Sequence, residues 1–378
     1  MRNTDLRRRL GLGLAAAMLP TLLLAAPCDV PASKADGWVV APAQDVALDA
    51  DKLCGVLRGF ADGQVNFHGL VVARRGQLVA EAYRQGRDKA VSDYFSHTVQ
   101  FDAERQHDMR SISKSVTSLL WGIAQAQGKT PPLNTPVLDL LPDLAELRSN
   151  GRDGITLAHL LSMSSGLEWK EWGSYGALSN DEFGLFWHSS QARYLFNRPL
   201  AAPPGSKFNY NGGGTAVLAQ ILSERVGMSL PDYARRYLFE PLGITEFTWQ
   251  NDLRGRPLAF AGLRLRPRDL AKIGQLVLNE GQWNGKQVVP TEWLAESTLG
   301  RLSSGDGMQY GYQWWSGTVE VHGKTRSWVG GIGNGGQRLY VVPELELVVA
   351  ITAGDYDQPE IGYQAYQLFK RIANASQG

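Results

Sequence analysis

The sequence predicts a mixed α/β fold in which the two ends of the chain build one sheet-containing domain around an inserted helical segment. Three observations carry this reading. FHGLVVARRGQLVAEAYR (67–84) offers two β-rich runs about Arg75-Gly76 near the start of the folded body. QRLYVVPE (337–344) and LELVVAITAG (345–354) offer two more near the end, about Pro343-Glu344. Between roughly 130 and 258 the chain is loop-rich and its apolar residues recur at helical spacing.

The chain opens with Arg7, Arg8 and Arg9, then an apolar stretch from Leu10 to Ala26 broken by Gly11, Gly13 and Pro20. A charged lead, a short apolar run and small residues at its exit describe a signal peptide over 1–26, too short and interrupted for a permanent span. The expected mature protein is therefore exported, periplasmic or secreted, with no stable membrane span. Residues 27–48 mix Pro, Ala, Asp and Gly without periodicity and read as an extended lead-in. Cys28 and Cys54 are the two cysteines, and an oxidising compartment permits their pairing if processing leaves Cys28 in place.

The folded body runs from 49 to 378. Leu53, Val56, Leu57 and Phe60 mark a first helix, and the hairpin of 67–84 follows. Residues 85–108 read as a loop. In SISKSVTSLLWGIAQAQG (111–128), Ile112, Val116, Leu119, Leu120 and Ile123 form one stripe and Gly128 a stop, so Ser111 lies in the first turn of a buried helix. Thr156 caps a short helix through Leu161, 215–226 forms another ended by Gly227, and 232–239 a third. A further helix starts near Pro267, and IGYQAYQLFKRIANA closes the chain as an amphipathic helix.

Composition narrows the function. The formal net charge of +1 gives no basic field for nucleic acid. The two cysteines lie in no metal-spaced cluster, and His68, His97, His107, His159, His188 and His322 form no His-x-His or His-x-x-x-His pair. No metal or organic cofactor is expected.

Ser111-Ile112-Ser113-Lys114 carries chemistry. Positions i and i+3 share a helix face, so hydroxyl and amine lie within hydrogen-bond reach. A desolvated lysine loses its proton more easily, and the neutral amine then accepts the serine proton. The helix N-terminus adds backbone donors for an oxyanion. No Gly-x-Ser-x-Gly elbow occurs, which disfavours an α/β-hydrolase.

Five ordered pieces resemble the serine β-lactamase and penicillin-binding-protein-like hydrolases: 109–115, LAHLLSMSSGLEW (157–169), PGSKFNYNGGG (204–214), GLRLRPRDLAKIG (262–274) and GNGGQRLYVVP (333–343). Within that superfamily the likeness is greatest to class C-like esterases, D-aminopeptidases and 6-aminohexanoate-dimer hydrolase. It implies a central antiparallel sheet flanked by helices. It also implies Ser111 as the acylated nucleophile, Lys114 as its proton-transfer partner, and Tyr210, from the family's Tyr-x-Asn, as a base whose ionisation flanking cations favour. Gly212 replaces the asparagine of that motif. Lys324-Thr325-Arg326 is a decoy of the family's Lys-Thr-Gly. Gly331-Ile332-Gly333 fills that position, or Trp328-Val329-Gly330 in a shifted register, and the Asn334 N–H joins that of Ser111 as the oxyanion hole. The motif's cation is missing, which argues for esters or amides without a β-lactam acid group. Trp169, Trp172 and Tyr175 are expected at the mouth of the cleft, beside a small-molecule ester or amide. A D-amino-acid peptidase or weak β-lactamase, and a silent peptidoglycan- or peptide-binding protein, stand as alternatives.

Overall fold

The computed structural model describes residues 28–171 and 173–377. The expected signal segment 1–26 and Trp172 lie outside the described residues. Fourteen strands bear on the site: β1 (Val39–Val40), β2 (Phe67–Arg74), β3 (Gln77–Tyr83), β4 (Gln85–Asp88), β5 (His97–Gln100), β6 (His107–Asp108), β7 (Thr248–Trp249), β8 (Leu263–Leu265), β9 (Leu302–Ser303), β10 (Gln309–Tyr310), β11 (Trp315–Val321), β12 (Lys324–Gly333), β13 (Gln337–Val342) and β14 (Leu347–Ala353). Five helices frame them: α1 (Ala50–Asp62), α2 (Ile112–Ala126), α3 (Gly212–Val226), α4 (Pro267–Leu278) and α5 (Pro359–Ala373).

Nine strands form one sheet in the order β1-β3-β2-β14-β13-β12-β11-β10-β9. Every neighbour is antiparallel except β1, which runs parallel to β3. The N-terminal hairpin thus sits beside the C-terminal strands, as the two-ended reading requires. Arg75 and Gly76 both have positive φ, 52° and 76°, the pairing that suits a tight two-residue hairpin.

Alternation along the central strands splits the core in two. Val71, Ala73, Leu339, Val341, Val348 and Ala350 face α2, α4 and the helical region. Their neighbours Leu70, Val72, Tyr340, Val342, Val349 and Ile351 face α1 and α5. Both faces are covered, so these strands read as continuous apolar runs rather than alternating ones.

Several boundaries differ from expectation. Residues 85–108 are not a plain loop: β4 pairs with β5, and β6 pairs with β8. The lead-in is tied down, with Trp38 and Leu48 buried and β1 added to the sheet edge. Cys28 and Cys54 are bonded, with Cα atoms 5.0 Å apart, which fastens the lead-in to α1. Helix α3 starts at Gly212 rather than 215, because Asn211 caps it by accepting the Gly214 N–H. The expected 232–239 helix begins at Leu230, capped by Ser229, and ends in a wide π-type turn over Arg235–Phe239. Among the described residues no helix is long and apolar enough to cross a membrane.

Candidate active site

Ser111 stands at the N-terminus of α2, with Lys114 one turn on. The residue before it, Arg110, is held in the left-handed region at φ 50°. Its guanidinium lies 3.3 Å from Asp108 and 4.1 Å from the Tyr356 ring centroid, so surrounding contacts over-determine a costly backbone. The Met109 N–H donates to Leu263 O, and Ser113 Oγ accepts from Leu263 N and donates to Arg110 O. The 262–274 motif is thereby explained: its strand fixes the turn that presents Ser111.

Lys114 is 1% exposed. Its Nζ lies 3.1 Å from Ser111 Oγ, 3.1 Å from Glu182 Oε2, 3.3 Å from Glu171 Oε1 and 3.1 Å from Phe260 O. The Tyr210 ring centroid is 4.8 Å from the same nitrogen, and Tyr210 lines the same cavity as Ser111. Serine, lysine and tyrosine are therefore gathered as the motifs predict.

The protonation states are not the expected ones. Burial pulls the Lys114 ammonium down, but Glu182, Tyr210 and Glu171 outweigh it and hold the group well above the usual lysine range. Burial likewise raises Tyr210 to about 12 despite the neighbouring ammonium. The sequence suggested a neutral amine and an easily ionised phenol; the resting site holds an ammonium and a phenol, because a carboxyl pair faces the lysine. Glu182 is pushed far above the carboxylate range by burial and by Glu171, against the opposing pull of Lys114. The direction of that shift favours the protonated acid at Glu182.

Each carboxyl is positioned locally. Asn180 accepts the Glu182 N–H and caps the turn Asp181–Gly184, while its amide donates to Glu171 O. Glu171 Oε2 accepts from Trp169 Nε1 at 2.8 Å and from the Gly212 N–H. Gly212 explains its own presence here: a Cβ on it would lie 2.6 Å from Glu182 Oε2 and 3.1 Å from Glu171 Oε2. The residue that departs from Tyr-x-Asn vacates the volume the carboxyl pair fills.

Ser111 and Tyr210 open onto a cavity of about 260 Å³, shared with Tyr175, Trp315, Ile332, Gly333, Asn334, Arg338 and Asp357. The Gly331–Gly333 placement thus brings Asn334 to the serine. Lys324, by contrast, is exposed at the far hairpin end of β12, paired with Val321. Gly333 permits this close approach, since a Cβ there would lie 2.5 Å from Met109 O. Gly331 packs on Ile112 and Gly212 on the carboxyls, so both lie behind the wall rather than in it.

Trp169 corrects an expectation. It is 4% exposed, packs at 5.8 Å on Tyr194 and serves Glu171, not the cleft mouth. Tyr175 does line the cavity, and its N–H donates to Asp357. Glu171, Glu182, Trp315 and Arg338 were missed. Arg338 restores a cation to the wall, with Nη1 donating to Gly333 O. It sits inside an apolar β-run, where sequence gives it no motif.

A mixed sheet with a helical insertion, and a buried serine–lysine–tyrosine set at their junction, define the scaffold of serine β-lactamases and penicillin-binding proteins. The chain belongs to the Beta-lactamase family, which it matches over residues 57–368. It is 26% identical over 301 residues to 6-aminohexanoate-dimer hydrolase of Paenarthrobacter ureafaciens, covering 74% of this chain and 70% of that one. The fold is shared with EstCE1, a hydrolase with promiscuous acyltransferase activity (TM-score 0.67, 18% identity, 87% of this chain and 98% of that chain). It is shared too with a family VIII carboxylesterase (TM-score 0.65, 15% identity, 87% and 96%).

Proposed function

We propose that this chain is an exported serine hydrolase that cleaves carboxylic esters and linear amides through an acyl-enzyme on Ser111. The observation that carries the reading is the contact of Ser111 with Lys114, with Tyr210 beside the same ammonium and both Ser111 and Tyr210 at the edge of one cavity. In the proposed cycle Lys114 passes a proton to Glu171 as it takes the one from Ser111, and Ser111 Oγ bonds to the substrate carbonyl carbon. The backbone N–H groups of Ser111 and Asn334 receive the developing oxyanion. As the carbonyl–leaving-group bond breaks, Tyr210 gives its proton to the leaving alcohol or amine. The phenolate so formed takes a proton from the water that attacks the acyl-enzyme, and Glu171 returns its proton through Lys114 to Ser111 as the acid leaves.

One feature favours esters and linear amides over β-lactams: the carboxyl pair fills the space of the family's asparagine. Arg338 and Asp357 give the wall one charge of each sign, which suits substrates with polar ends.

The test is a rate comparison of p-nitrophenyl butyrate, a linear N-acyl amide and a chromogenic cephalosporin on wild type and Ser111→Ala. The ester and the amide should turn over, the cephalosporin should not, and Ser111→Ala should lose at least about a thousandfold. Stable acylation by the cephalosporin, or turnover retained in the variant, would refute the proposal.

A further inference from the structure

Outside the serine cavity, three separate segments bring His68 of β2, Asp88 of β4 and His107 of β6 together. One ligand-type atom from each lies within 4.8 Å of the others, and all three side chains are buried. Their hydrogen bonds fix where the ring protons are. His107 Nδ1 lies 3.0 Å from Asp108 O, which only accepts, so Nδ1 carries the hydrogen. Asn66 is oriented by Arg87: its Nδ2 donates to Arg87 O at 2.8 Å and its Oδ1 accepts the Arg87 N–H at 3.0 Å. The same Oδ1 faces His68 Nε2 at 3.2 Å, so His68 carries its hydrogen there.

The remaining nitrogens, His68 Nδ1 and His107 Nε2, stand 2.8 Å apart. With both outer positions protonated, two neutral rings turn lone pairs at each other. Such a contact is repulsive unless a cation joins them. Asp88 Oδ1 supplies the negative charge, 3.8 Å from His107 Nε2, and is itself held by the Tyr356 hydroxyl at 2.6 Å. That 3.8 Å gap is too long for a hydrogen bond to the ring and suits two ligands of one ion. Outer ring N–H groups given to oxygen acceptors, and a carboxylate braced by a donor, are what surrounds imidazole–carboxylate metal sites.

We propose that His68 Nδ1, His107 Nε2 and Asp88 Oδ1 form a structural site for a divalent transition metal of the zinc type. Bonds of about 2.0–2.1 Å at a tetrahedral angle need the two nitrogens roughly half an ångström further apart than their 2.8 Å. The exposed β4–β5 hairpin is the element that yields to admit the ion. Once bound, the ion ties β2, that hairpin and β6 together. Strand β6 runs straight into Arg110 and Ser111, and Tyr356 links Asp88 to Arg110. The residues lie at 68, 88 and 107, on three elements, so no spacing motif announces them.

The experiment uses the full chain, stripped with EDTA and returned to one equivalent of Zn²⁺ or Co²⁺. Expected are about one metal per chain by elemental mass spectrometry, a ligand-field spectrum with Co²⁺, and metal affinity at least about tenfold weaker in His107→Gln and Asp88→Asn. Ser111→Ala should bind metal as wild type does, which separates this site from the serine cavity. Should the ligand variants fail to fold, wild type alone decides, because Zn²⁺ must raise its melting temperature over that in EDTA. No stoichiometric metal and no Zn²⁺-dependent melting, with nitrogen NMR counting three N–H groups on the two rings, would overturn the proposal and make the cation a proton.

Discussion

Lys114, Glu171 and Glu182 hold the unusual chemistry of this site. The unfolded chain ionises Glu182 near 4.5, whereas the folded protein keeps its proton to far higher pH. The native state therefore binds more protons over that window, and stability falls as pH rises above 4.5 toward the raised folded-state value. Glu182→Gln should flatten that slope while keeping kcat/KM within about threefold, because an amide mimics the neutral acid. Melting at pH 5 and pH 8 and steady-state rates check both. Lys114→Met should abolish turnover and destabilise the fold by about 3 kcal/mol, since it leaves a buried carboxylate without its cation. The double variant Lys114→Met/Glu171→Gln should recover most of that stability in denaturant titration.

Gly212→Ala should push the carboxyl pair aside, costing about 1–3 kcal/mol and at least about tenfold in kcat. A stable, fully active Gly212→Ala would mean that the pair is not needed where it sits. At this scale the sequence was only partly legible. Ser111, Lys114 and Tyr210 are visible because a helix and a short motif fix their relation. Glu171 and Glu182 reach Lys114 from 57 and 68 positions away, a distance no local pattern encodes. Trp169 was misplaced because its motif fixes the chain path but not the side to which the ring turns.

Elements were read best where a periodic pattern met clear punctuation. The Arg75-Gly76 hairpin, α2 and the β13–β14 pair follow from apolar runs bounded by glycine or proline. The β4–β5 hairpin was not legible: its strands have four residues each, are largely exposed and carry no alternation. The lead-in looked extended because two residues of strand and a disulfide leave no periodicity. That disulfide closes a span of 26 residues, so its removal by Cys28→Ala/Cys54→Ala should cost about 3 kcal/mol. Denaturant midpoints with and without reductant should show the same loss in wild type, with ester turnover below the transition unchanged. A drop in turnover well below the transition would show that the lead-in also shapes the site.

At the scale of the whole molecule, the fold follows from where its apolar segments lie. Two terminal sets of strands bury both faces only by joining in one sheet, and the intervening helices close over one of those faces. The cavity forms where α2, the β12 end and the loop before α3 converge. In the proposed acyl-enzyme chemistry, this convergence is what activates Ser111. Intact-mass spectrometry after exposure to a fluorophosphonate probe tests it most directly, with Ser111→Ala beside the wild type. A single adduct on the wild type that vanishes in the variant is the predicted result. An unmodified wild type, or an adduct that persists without Ser111, would contradict it.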